Sequence, residues 1–115
     1  MLNEKQKIVH VLDELLNYAL YNHPQKVTIK IEELAGQVQI TVEEINVQLS
    51  ARECQAAERF LNTPRHNEMQ EYYSGLAGEE TLSPRNLRIV GLMVDGGRLE
   101  SCESGTQLSI WWKPE

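Results

Sequence analysis

The sequence predicts an α+β domain: a two-layer α/β sandwich in which a mixed sheet of two hairpins is covered by helices. Three observations carry this. The chain opens on a segment whose apolar residues recur at helical spacing. Two later regions alternate apolar and polar residues with period two. Each alternating region follows an amphipathic segment able to cover one of its faces.

From Asn3 to about Tyr21, Ile8, Val11, Leu12, Leu15, Leu16, Ala19 and Leu20 mark one face of a helix turning ~100° per residue. Asn3 is the expected N-cap, with Glu4 in the first turn. Pro24 ends the helix by pushing its predecessor out of helical geometry. Val27, Ile29 and Ile31 then alternate with Thr28, Lys30 and Glu32, and Val38, Ile40 and Val42 with Gln39, Thr41 and Glu43. These are half-buried strands of a hairpin that turns through Leu34, Ala35 and Gly36.

An irregular insert is expected over about residues 45–83. Within it, Ser50 and Glu53 form a capping box that opens a helix running to about Asn62, where Thr63-Pro64 stops it. A weaker polar helix follows over about Asn67 to Tyr73, then a loop from Gly75 to Thr81. Ser83-Pro84 caps the next helix, whose stripe is Leu87, Val90, Met93 and Val94, widened by Ile89 and Leu92 and ended by Gly96-Gly97. A second hairpin spans Arg98 to Glu103 and Thr106 to Trp112, turning at Ser104-Gly105. Leu108, Ile110 and Trp112 share one of its faces, and Trp111 the other with Gln107 and Ser109.

Composition bounds the function. The 115 residues suit a single domain; 11 are basic and 17 acidic, a net charge of −6 that leaves no footprint for wrapping nucleic acid. No apolar run approaches the ~20 residues of a membrane span, and no signal peptide is visible, so a cytoplasmic location is expected. Cys54 and Cys102 are too few for a disulfide framework or a four-ligand zinc site, and are expected to be buried or idle. A thiolate at Cys54, one turn into a helix, is the alternative. His23 and His66 lack partner spacing for a metal.

The order of elements, with Asn86-Leu87-Arg88-Ile89-Val90, Gly96-Gly97-Arg98-Leu99-Glu100 and Gly105-Thr106-Gln107-Leu108-Ser109-Ile110, resembles the end of a histidine-kinase ATP-binding domain. There a "GLGLxIV" helix leads to "GGxhxhxS" and "GTxhxhxhP". Leu12-Asp13-Glu14-Leu15-Leu16-Asn17-Tyr18-Ala19-Leu20 is similar to the family's N-box helix, "hxELhxNAh". The resemblance is to the GHKL (Bergerat) superfamily, which includes histidine kinases and anti-sigma-factor kinases, and it spans nearly the whole chain. It implies that Glu14 stands where some relatives activate the attacking water, and that Tyr18 replaces the magnesium-holding asparagine, with Asn17 one residue early. It puts Glu44 at the adenine-binding aspartate of "DxGxG", with Asn46 and Gln48 in place of its glycines. It puts Pro84 and Asn86 at the glycines of "GxG", and counts Gly105 and Thr106 among the nucleotide-pocket equivalents. Scaffold positions are kept and ligand-contacting ones are replaced; Pro84 has no amide hydrogen to offer a phosphate.

The expectation is therefore a non-catalytic regulatory protein of bacterial signalling that needs no cofactor and docks a kinase, a response regulator or a sigma-type factor through the middle insert and the stripe around Tyr18 and Tyr21. The alternative is a divergent histidine or serine kinase binding ATP and magnesium, with Glu44 on adenine and Asn17 or Asn46 on the metal. His10, Glu14, Asn17, Tyr18 and Tyr21 group on the helix side away from the main stripe, where they form either a pocket wall and partner surface or a solvated face. His10 reads either as a phospho-acceptor or as a surface residue. Trp111 reads either as a binding surface or as a residue covered by the insert.

Overall fold

A computed structural model describes residues 2–62 and 85–114. Helix α1 (Leu2–Tyr21) leads into the hairpin β1 (Lys26–Leu34) and β2 (Gln37–Ile45), followed by α2 (Ala51–Asn62). After residues 63–84 come α3 (Arg85–Gly91) and the hairpin β3 (Gly96–Cys102) and β4 (Gly105–Trp112). The expected helix at Asn67–Tyr73, the loop from Gly75 to Thr81, the Thr63-Pro64 stop, the Ser83-Pro84 cap and His66 lie outside the described residues.

The strands form a single sheet of order β1-β2-β4-β3, with every adjacent pair antiparallel. The expectation of a mixed sheet is thereby corrected. The second hairpin presents its returning strand β4 to β2, with Ile40 opposite Ile110 and Val42 opposite Leu108. A parallel contact would have required β3 in that place.

Alternation decides the faces. Val38, Ile40, Val42, Leu99, Leu108, Ile110 and Trp112 are buried beneath the helices, while Gln39, Thr41, Glu43, Gln107 and Ser109 line the polar outer face. The helical layer contributes Val11, Leu15, Tyr18, Ala19, Ala57, Leu61, Leu87, Val90 and Val94 to the same core.

Helix α1 begins at Leu2, so Asn3 lies inside it and is not its N-cap. Its buried arc is Val11, Leu15, Tyr18 and Ala19, whereas Leu16 and Leu20 are exposed. The inward face is thus rotated toward Tyr18, and Tyr18 belongs to the core rather than to a solvent-facing side. At the helix start the Trp112 indole donates to Glu4 Oε1 at 2.6 Å, and Lys7 Nζ sits 5.1 Å from the Trp112 ring centre. At its end His23 adopts φ 54°, leaving helical geometry ahead of Pro24.

The capping box of α2 forms as expected: Ser50 N–H donates to Glu53 Oε1 at 2.9 Å and Glu53 N–H to Ser50 Oγ at 3.1 Å. Gly96-Gly97 differs from expectation. Helix α3 stops at Gly91, and the two glycines open β3 instead. A Cβ on Gly97 would lie 2.7 Å from Leu61 Cδ1, and one on Gly96 would meet the Trp111 ring at 2.9 Å. The pair is small because α2 and Trp111 press on it. The β3–β4 turn falls at Glu103-Ser104, one residue earlier than expected.

Candidate functional site

A polar cluster lies beneath the C-terminal end of α1. The alternation of β2 carries through Val38, Ile40 and Val42 to Glu44, so the acid occupies an inward position and is 0% exposed. Its register partners are Val27 on β1 and Thr106 on β4. Asn22 Nδ2, just past α1, donates to Glu44 Oε1 at 3.0 Å, and Thr106 Oγ1 donates to Oε2 at 3.4 Å. Burial pushes the Glu44 carboxyl above the usual range, and the bonds from Asn22 and Thr106 offset this in part. The Tyr18 hydroxyl is also pushed upward, first by burial and then by the Glu44 charge, with an opposing hydrogen bond from Asn22. Tyr18 therefore stays neutral and acts as packing and dipole, not as a base.

Gly105 holds this corner closed. A Cβ there would stand 1.8 Å from the Glu44 carbonyl oxygen, so only glycine lets β4 approach β2 so closely. Asn46, with φ 65°, leaves β2; its N–H donates to the Ser104 carbonyl at 2.8 Å, and its side chain bonds Gln25. It is a turn residue on the outside of the same corner.

A second contact joins α1 to α3. Asn86 Nδ2 donates to Glu14 Oε1 at 2.8 Å, and both residues are half-buried. The acid that the resemblance assigns to water activation is thus engaged by a residue from the "GxG" position. Asn17 is exposed, one residue from the buried Tyr18 and displaced ~100° around the helix. His10 is exposed and lines a shallow groove with Lys5, Gln6, Val9 and Asp13, and Tyr21 is 71% exposed. Trp111 is half-buried on the outer face of the sheet against Gly96, its register partner.

The structure thus brings together Tyr18, Glu44, Gly105 and Thr106, separately pairs Glu14 with Asn86, and leaves His10, Asn17 and Tyr21 in solvent. Asn22 was missed by sequence reasoning. The signal for it was its place four residues after Tyr18, on the same helical side.

Among the described residues no group of three or more His, Cys, Asp and Glu is placed to hold a metal ion. No described helix is long and apolar enough to cross a membrane. Burial, then the charges of Glu58 and Glu53, push the half-buried Cys54 thiol upward, away from a thiolate. Cys102 is exposed, not buried; its sulfur lies 3.5 Å from Ser104 Oγ, and that hydrogen bond lowers its thiol pKa. A scan against protein-family models and a search of curated proteins found no match to this chain.

Proposed function

We propose that the chain is a non-catalytic regulatory domain of bacterial signal transduction, framed like the GHKL ATP-binding domain, that acts by docking a protein: a kinase, a response regulator or a sigma-type factor. One observation carries the reading. Glu44, at the position the resemblance gives to adenine recognition, and Thr106, a nucleotide-pocket equivalent, spend their hydrogen bonds on each other and on Asn22. A base entering there would have to break both bonds and displace the buried Tyr18, leaving polar groups unpaired at about 1–3 kcal/mol each. The docking part is supported by Tyr21 and Leu20, 71% and 56% exposed at the end of α1, with His10 farther along the helix.

One observation favours the divergent-kinase reading. Glu44 and Thr106, both among the nucleotide-pocket equivalents, stand side by side at one end of the sheet. In that case Asn22 releases Glu44 when ATP and magnesium bind.

Docking is tested by placing a photoreactive phenylalanine analogue at Tyr21 in the cells that make the protein, with the same analogue at Glu100 as control. The expected result is one signalling protein crosslinked from position 21 and absent from position 100. Identical products from both positions, or none from Tyr21, overturn the docking surface.

A further inference from the structure

The two edges of the sheet are finished differently. Edge strand β3 is fastened to α2: the Asn62 side chain accepts from Gly97 N–H at 3.1 Å and donates to the Gly97 carbonyl at 2.8 Å, while Glu58 Oε2 accepts from Leu99 N–H at 2.9 Å. Edge strand β1 has a neighbouring strand on one side only among the described residues. Among the described residues the helical layer also stops short of it. Ile31 is 46% exposed, while Ile40, directly opposite on β2 and on the same face, is 0% exposed. Val27 and Ile29 on that face are half-buried. An uncovered edge with an apolar face is a template for another strand.

We propose that β1 pairs antiparallel with β1 of a second copy of this chain, about a two-fold axis through Ile29, giving a continuous eight-stranded sheet. The charges on the strand select this register. An isologous pair that keeps both apolar faces on one side must place its axis on a residue. An axis on Thr28 sets Lys26 against Lys30, one on Lys30 sets that lysine against itself, one on Glu32 or Glu33 sets glutamate against glutamate, and one on Val27 pairs only Lys26 with Thr28 within the strand and leaves Ile31 unpaired. An axis on Ile31 pairs Lys30 with Glu32 but puts Glu33 beside Ile29 on the apolar face. The axis on Ile29 pairs Lys26 with Glu32 twice on the polar face. On the apolar face it sets Val27 against Ile31 twice and Ile29 against its own copy. The exposed Ile31 is then covered by the second copy. This inference does not depend on the docking function above.

The test is sedimentation velocity of the intact chain from low micromolar to about 200 µM. The native protein is expected to dimerise, and a monomer across the whole range overturns the proposal. Lys26→Glu and Glu32→Lys each set like charges opposite one another twice, and each should weaken the dimer about tenfold or more. Within one chain these residues face Ile45 and Gln39, neither charged, so both variants should fold, as circular dichroism checks. Mixing the two single variants restores both ion pairs across the axis, as does the double variant, and native-like dimerisation is expected in both cases. A dimer unaffected by Lys26→Glu, or a mixture no tighter than its components, overturns the register and the proposal with it.

Discussion

Replacing Glu44 by Gln tests the buried cluster through a difference in sign. Glu44 is 0% exposed and receives one bond from Asn22 at 3.0 Å and one from Thr106 at 3.4 Å. Glutamine keeps an acceptor for Asn22, and the Thr106 hydroxyl can turn to accept from the new amide. The variant loses the charge-assisted strength of two bonds and is relieved of a buried charge. Because burial is the largest influence on the carboxyl, relief wins, and Glu44→Gln should be more stable than the native protein at pH 7 by roughly 1–2 kcal/mol. In an acid whose folded pKa is raised, the folded state holds the proton more tightly. Its contribution is fully present below the unfolded pKa of about 4.3 and is lost as pH rises through the higher folded value. The two proteins should therefore converge near pH 4 and separate as the solution is neutralised. Urea denaturation of both across this range measures the gap, and every other titrating group cancels in the difference. A native protein more stable than the variant at pH 7, with a gap that does not close on acidification, would mean that the bonds from Asn22 and Thr106 outweigh the burial of the charge.

Three further substitutions probe the frame. Gly105→Ala forces a Cβ to within 1.8 Å of a backbone oxygen and should cost about 3 kcal/mol or more in urea, while a loss under about 1 kcal/mol would contradict the closed β2–β4 corner. Ala35 has φ 52° ahead of Gly36 at 78°, the two-residue hairpin geometry that favours Asn-Gly, so Ala35→Asn should raise stability by about 0.5–1 kcal/mol in thermal melts. Asn86→Asp replaces the donor at 2.8 Å from Glu14 by a second carboxylate, and a loss of about 1–2 kcal/mol in urea is expected at neutral pH; an unchanged midpoint would contradict the α1–α3 contact.

Much of this frame was legible because period two is unambiguous. Val38, Ile40 and Val42 alternate in sequence and are buried in the structure, and the same parity carried one step further reaches Glu44. The inward face of α1 is not legible from its aliphatic residues alone. Leu16 and Leu20 pulled the predicted stripe toward themselves, while Tyr18, with a large ring and one polar atom, took the core position. Gly96-Gly97 reads locally as a helix terminator, yet its small size answers Leu61 and Trp111, residues 36 and 14 positions away from Gly97. The antiparallel junction between the hairpins left no local mark, since both strands of the second hairpin carry apolar residues and packing alone decides which meets β2. Within the candidate site, Glu44 and Thr106 came from the resemblance, whereas Asn22 and the pairing of Glu14 with Asn86 depend on how α1 settles against the sheet and α3.

The corner holding Glu44 and Thr106 is closed by the chain's own side chains. Titrating the protein with ATP and magnesium in a calorimeter tests this most directly. No saturable heat is expected up to millimolar ATP, and no thermal stabilisation by the nucleotide. Saturable one-site binding with a micromolar Kd would contradict it, and would bring a rise in stability of about 4 kcal/mol when ATP exceeds Kd by about 1,000-fold.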